Sequence, residues 1–139
     1  MKREFLVTGG TGFLGASLVK KLLREGHEVR VLDNESRGRR NRLAEVEGQF
    51  EMTTGDIREP FLVEQAAKGC DSVVHMAFIS GTEFFYSKPE LVLEVGVKGM
   101  VNVLDACKVN SIKDLILISS SEVYQEPPTI PTPENVPLI

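Results

Sequence analysis

The sequence predicts an α/β fold: a doubly wound parallel sheet with helices on both faces and strand order 3-2-1-4-5. Three observations lead there. A glycine triplet, Gly9, Gly12 and Gly15, follows the apolar run Phe5, Leu6, Val7. An acidic residue, Asp33, closes a second apolar run 18 residues after Gly15. Short apolar runs then alternate with helical patterns along the chain, the arrangement that gives a parallel sheet with right-handed crossovers.

Glycines at intervals of three suit a strand that turns sharply into a helix around a pyrophosphate. Gly9 takes turn angles that a Cβ would oppose, Gly12 lets the main chain approach phosphates, and Gly15 lets the helix lie close to the strand. The helix N-terminus offers free N–H groups and the positive end of its dipole to an anion. Leu14, Leu18, Leu22 and Leu23 are expected on the apolar face of that helix, with Lys20, Lys21 and Arg24 off it. Gly26 stops it. A strand over residues 29–33 then delivers Asp33 near the offset of about 20 at which an acid grasps the ribose hydroxyls of NAD. Strand, glycine turn, helix, strand and acid in this order define a dinucleotide site of the Rossmann type.

Further elements follow in turn. A short helical piece at residues 43–47 is closed by Gly48, and residues 49–53 alternate as a third strand. Pro60 opens a helix running to Lys68, with Gly69 as its stop. Residues 71–77 form a fourth strand, apolar enough to be buried on both faces. After a loop through residues 80–82, Ser87 and Glu90 have capping-box spacing around Pro89. The long helix expected from there shows Leu91, Val95, Val101, Leu104 and Cys107 on its apolar side. Gly96 and Gly99 inside it cost about 1 kcal/mol each against alanine, so they point to close approach by the sheet or a ligand. Residues 115–119 make a fifth strand, and residues 125–139 are proline-rich and irregular.

A chain of 139 residues suits one domain, and 42% hydrophobic with 26% charged residues is the composition of a soluble globular protein. The net charge of −4 and pI near 5.3 argue against a nucleic-acid-binding surface. Arg37, Arg39, Arg40 and Arg42 gather just past Asp33, either as a solvated loop or beside the adenosine end of a cofactor. Cys70 and Cys107 lie in apolar contexts without metal-ligand spacing, so no metal is expected and both read as buried thiols of a cytoplasmic protein. The first strand starts within a few residues of Met1, leaving no room for a signal peptide. No apolar run approaches the roughly 18 residues of a membrane span, so no membrane partner is expected.

Several collinear stretches point to a family. They are residues 8–15, Asp33-Asn34, Gly55-Asp56-Ile57, Val74-His75-Met76-Ala77, the Gly99 region with Asn102-Val103-Leu104, and residues 119–124. Together the chain resembles the N-terminal, cofactor-binding half of the extended short-chain dehydrogenase/reductases, in particular the NAD-dependent nucleotide-sugar epimerases, dehydratases and decarboxylases. The resemblance implies that Phe13 and Leu14 stand at the pyrophosphate turn and that Asp33 and Asn34 meet the adenosine ribose. Ser36 and Arg37 belong to the same end. It implies that Asp56 and Ile57 border the adenine, Asp56 accepting its amino hydrogen; a helix-start cap is the other reading of Asp56. Met76, Ala77 and Phe78 would line the nicotinamide side. His75, on an apolar strand, reads as a core histidine.

Ser120 corresponds to the family's catalytic serine, four residues before Tyr124. Glu122 stands where related dehydratases and decarboxylases use an acid after the oxidation step; a solvated glutamate is equally compatible. Two departures stand out. Gly96 replaces an asparagine usual in the family. The family's Tyr-x-x-x-Lys pair is also missing: Tyr86 and Tyr124 are followed four residues on by Glu90 and Pro128. An unassisted tyrosine titrates near 10 and is a poor base at neutral pH.

The expectation is therefore a Rossmann domain over residues 1–139, truncated before the remaining strands and the substrate-binding part, with a bare edge along the fifth strand. Its parent would be an NAD-dependent nucleotide-sugar epimerase/dehydratase, a homodimer at full length, and this chain alone would be inactive. The alternatives are a non-catalytic dinucleotide-binding module and an NADP-dependent carbonyl reductase of the same superfamily.

Overall fold

A computed structural model of the chain describes residues 1–138; Ile139, the last residue of the expected segment 125–139, lies outside the described residues. Five parallel strands form one sheet: β1 (Glu4–Thr8), β2 (Glu28–Asp33), β3 (Glu51–Thr54), β4 (Ser72–His75) and β5 (Asp114–Leu117). Their order is β3-β2-β1-β4-β5, as the alternating pattern predicts. In register, Val7 stands beside Val31 on one side and Val74 on the other.

The period-2 alternation of the strands divides the core between two faces. Leu6, Leu32 and Val73 face α2 (Pro60–Ala67) and the long helix, meeting Val63, Ala66, Val103 and Ala106. Phe5, Val7, Val29, Val31 and Val74 face α1 (Phe13–Arg24) and a 3-10 turn (Arg40–Val46), meeting Ala16, Val19 and Leu43. Leu6, Leu32 and Leu43 are fully buried, and each such side chain contributes roughly 1.5–3 kcal/mol. Cys70 and Cys107 are buried free thiols; burial pushes the Cys70 thiol up to about 11 and raises Cys107 as well.

The structure corrects several local expectations. Leu14 is exposed, because α1 turns Gly15, Ala16 and Val19 toward the sheet instead. A short helix α3 (Thr82–Ser87), not expected from the sequence, begins at the end of the loop, and Ser87 ends it by donating from Oγ to the Glu83 carbonyl at 2.7 Å. The Ser87/Glu90 capping box is therefore absent, and α4 (Pro89–Leu93) starts after Lys88 without a side-chain cap. A π-helical segment (Glu94–Lys98) joins α4 to α5 (Gly99–Val109).

The buried stripe of this composite helix is Val92, Val95, Gly99, Val103 and Ala106, spaced by three or four residues, with Cys107 beside Ala106. Val101 and Leu104 lie outside it and are half-exposed, in a second stripe with Leu93 and Val97. The expected strand over residues 115–119 stops at Leu117, and Ser121–Tyr124 forms a 3-10 turn. β5 is one edge of the sheet, opposite β3, with Ile116 and Leu117 exposed.

Candidate functional site

Parallel strands bring the carboxyl ends of β1, β2 and β4 to one edge, and the chain order reverses between β1 and β4. Such a switch point opens a crevice for ligands. Here a cleft of about 250 Å³ is lined by Gly9, Gly12, Asp33, Asn34, Ser36, Arg37, Asp56, Ile57, Met76, Ala77 and Phe78, together with Arg58, Ile79, Leu91 and Val95. Among the expected cofactor residues, Phe13 and Leu14 are not in its lining; they open α1 with exposed side chains.

The glycine turn is built tightly. Gly9 has φ +74°, and a Cβ there would meet the Ala77 backbone at 2.9 Å. At Gly15 a Cβ would stand 2.1 Å from the Gly9 carbonyl oxygen. Gly12 N–H donates to that same carbonyl at 3.1 Å. The N-cap of α1 is Gly12, which has no side chain to cap with, so the first N–H groups of the helix keep their donor capacity. Free N–H groups at a helix N-terminus favour an anion such as a phosphate.

Asp33 is buried and holds two loops together. Oδ2 accepts from Thr11 N–H at 2.9 Å and Oδ1 from Glu35 N–H at 2.8 Å. The Thr11 carbonyl in turn accepts from Arg39 N–H and Arg42 Nη1, each at 3.0 Å. Asp33 thus fixes the glycine turn from one side while lining the cleft on the other.

The opposite lip is set by Thr8. Its Oγ1 accepts from Met76 N–H and Ala77 N–H, both at 3.2 Å, and lies 2.7 Å from His75 Nδ1. A hydroxyl has two lone pairs and one proton. With both lone pairs engaged, the proton goes to Nδ1, so His75 is neutral and carries its hydrogen on Nε2. Burial, which disfavours the charged ring, lowers its pKa in the same sense.

The unfolded ring titrates near 6.5, above the folded value, so unfolding takes up a proton below that pH. The stabilising share of neutral His75 is full above about 6.5 and is lost as pH falls from there through the folded value. The thermal midpoint is expected to drop between pH 7.5 and 5.5, and His75→Asn, which keeps an acceptor for Thr8, should flatten that drop. Equal drops in both proteins would show that another group controls the acid limb.

Just past the end of β3, Asp56 is gripped by Arg58, through Nε at 3.0 Å and Nη2 at 2.8 Å. The Arg58 fork and N–H, with a smaller share from Asn34, hold the Asp56 carboxyl below its usual range. Asp56 is not the cap of α2, whose N-cap is Glu59. Arg58 escaped the sequence reading, although its place two residues after an aspartate at a strand end is the spacing of an Asx turn.

Arg37 lines the cleft while donating from Nη1 to the Ser80 carbonyl and lying 5.1 Å over the Phe84 ring. Phe78 is half-exposed and rests against Gly96, where a Cβ would come within 2.9 Å of the ring. Asn102 Nδ2 donates to the Ile57 carbonyl at 2.9 Å, fastening α5 to the floor.

Ser120 and Glu122 stand apart from this cleft. Ser120 Oγ accepts from Glu122 N–H at 3.2 Å as the cap of the 3-10 turn, and Glu122 lines a separate depression with Tyr124, Pro127 and Thr132. Among the described residues there is no cluster fit to hold a metal, and no helix is long and apolar enough to cross a membrane.

Comparison with known proteins agrees with the fold. Residues 5–138 match the NAD dependent epimerase/dehydratase family. UDP-glucuronic acid decarboxylase 1 of Danio rerio is 33% identical over 96% of this chain, and 31% of that protein is covered. A UDP-N-acetylglucosamine 4-epimerase from Methanobrevibacter ruminantium M1, solved with UDP-N-acetylmuramic acid, superposes with TM-score 0.88 at 29% identity, over 100% of this chain and 45% of that one. The dTDP-glucose 4,6-dehydratase DesIV from Streptomyces venezuelae, solved with NAD and TYD bound, gives TM-score 0.82 at 31% identity, over 87% of this chain and 40% of that one. The chain therefore spans less than half the length of these relatives.

Proposed function

Because the chain belongs to the NAD-dependent epimerase/dehydratase family, we propose that it is the NAD-binding portion of an enzyme acting on a nucleotide-linked sugar. The uncapped N-terminus of α1 over the Gly9–Gly12 turn, with buried Asp33 facing the same cleft, carries this reading. The amides of Phe13 and Leu14 would hold the pyrophosphate, with Gly9 and Gly12 letting the main chain approach it, Asp33 and Asn34 the adenosine ribose with Ser36 and Arg37 beside it, and Asp56 with Ile57 the adenine. Met76, Ala77 and Phe78 would border the nicotinamide. When bound, NAD supplies a hydride acceptor for oxidation of the sugar, ahead of epimerisation, dehydration or decarboxylation.

The chain's own share of that chemistry is binding and orientation. Thr8 fixes the amides of residues 76–77 at the nicotinamide end, and Asp33 fixes the glycine turn. Ser120 is the proposed hydrogen-bond partner of the substrate oxygen, and Glu122 the proposed acid for the step after oxidation. Both would have to be brought to the cleft by the tail they stand on. Without a Tyr-x-x-x-Lys pair, residues 1–139 alone should turn over nothing. The half-exposed stripe of Leu93, Val97, Val101 and Leu104 supports pairing of two copies through the long helix in the working enzyme.

Calorimetric titration of NAD and NADP into the protein tests the reading. NAD should bind saturably and about tenfold more tightly than NADP, because a 2′-phosphate brought within several ångströms of the Asp33 carboxylate is repelled by on the order of 1–2 kcal/mol. A preference for NADP would move the protein to the carbonyl reductases. Absence of binding to either would refute the cofactor site.

A further inference from the structure

The proposed adenine position is already saturated from within the protein. Asp56 Oδ1 accepts from Arg58 N–H at 2.9 Å and Arg58 Nε at 3.0 Å, while Oδ2 accepts from Arg58 Nη2 at 2.8 Å and Asn34 Nδ2 at 3.3 Å. A carboxylate offers about four lone-pair sites, and all of them are engaged. An incoming amino group must therefore displace one of these donors.

Arg58 is not the one to leave. Its fork matches both oxygens, the strongest arrangement available to this pair. Its Nη1 is held from the far side by Glu94 Oε2 at 2.9 Å, and Glu94 is itself paired with Lys98 at 2.5 Å. Asn34 differs in every respect: its contact is the longest of the four, its donor is neutral, and its side chain is exposed. Its Oδ1 accepts from Ser36 N–H at 3.1 Å, which orients the amide so that Nδ2 faces Asp56; the flipped amide would set an oxygen against the carboxylate.

We propose that the Asn34 amide is an internal stand-in for the adenine amino group and competes with it for Asp56 Oδ2. This rests on the reading of Asp56 as the adenine partner. Adenine then exchanges one donor for another instead of adding a bond. The protein's preference for a 6-amino purine is correspondingly muted, because an exchange of hydrogen bonds gains less than a bond to an open charged acceptor.

The experiment compares AMP with purine riboside 5′-monophosphate, identical but for the missing 6-amino group, by calorimetry on the protein and its variants. The wild-type protein should favour AMP by no more than about threefold. In Asn34→Ala the ratio should rise to about tenfold or more, as expected for a hydrogen bond gained on a charged acceptor. Asn34→Ser, whose hydroxyl is too short to reach Asp56, should show the same rise and guards against one badly folded variant. Asp56→Asn should bring the ratio to about one.

A ratio unchanged or lowered in both Asn34 variants overturns the competition, even where NAD still binds the wild-type protein. An AMP preference that survives in Asp56→Asn overturns it too, by removing Asp56 as the partner. Failure of NAD to bind the wild-type protein sinks the underlying cofactor reading instead, so the two failures are distinguishable.

Discussion

Gly15→Ala is expected to abolish NAD binding and lower the thermal midpoint by about 5–10 °C. The added methyl would stand 2.1 Å from the Gly9 carbonyl oxygen and 2.8 Å from Gly10 Cα. Both are backbone atoms of the turn that would hold the pyrophosphate, so relief of the clash must move the turn itself. Alanine gains about 1 kcal/mol in helix propensity at an interior position, whereas overpacking of this kind costs typically 1–3 kcal/mol and more where backbone must shift. The net loss of about 2 kcal/mol gives the stated fall for a domain of this size. Gly96→Ala is the matched control. Its methyl meets only the edge of the half-exposed Phe78 ring, which can swing away, so the midpoint should hold or rise slightly. Melting curves and NAD titrations of both variants decide the matter. A Gly15→Ala protein that binds NAD normally would mean the turn does not touch the cofactor.

Asp33→Asn should be nearly as damaging as Asp33→Ala, against the usual view of the amide as a mild replacement. The two carboxylate oxygens serve different backbone donors, Thr11 N–H and Glu35 N–H. An asparagine satisfies one of them and sets its own NH₂ against the other. Thr11 is fully buried, and leaving its N–H without an acceptor costs about 1–3 kcal/mol. Affinity for NAD should fall at least tenfold in both variants, since the proposed ribose partner would be lost and the turn loosened together. Chemical denaturation checks the stability half and titration the affinity half. If Asp33→Asn kept wild-type stability, the carboxylate would have no structural task and would serve the ligand alone.

What could be read from the residues follows from the range of the forces involved. Strand order, the glycine turn and the acid at the end of β2 depend on local periodicity and on backbone limits at Gly9 and Gly15, which the sequence states directly. The face of the long helix is not set by side-chain size: Val101 and Leu104 are large and apolar, yet they are exposed. The stripe that packs is made partly of Gly99 and Ala106, small residues, with Gly99 lying against Ile57. The capping box failed because Ser87 finds the Glu83 carbonyl behind it before it meets the next helix. Arg58 was missed because its meaning lies in Glu94, 36 residues away in the chain. Ser120 and Glu122 could be matched in order but not in space, since their placement depends on what the tail packs against.

Arg37 adds a constraint of a different kind. It joins the loop after β2 to the Ser80 carbonyl and the Phe84 ring, and it also lines the cleft. A ligand that drew this guanidinium to itself would first have to detach it. Releasing one exposed hydrogen bond and one cation–π contact costs on the order of 1–2 kcal/mol, and that cost would be subtracted from the affinity. Phe84→Ala, which removes the ring and leaves the cation, should then tighten NAD binding by about two- to threefold; an unchanged affinity would mean that the guanidinium stays where it is.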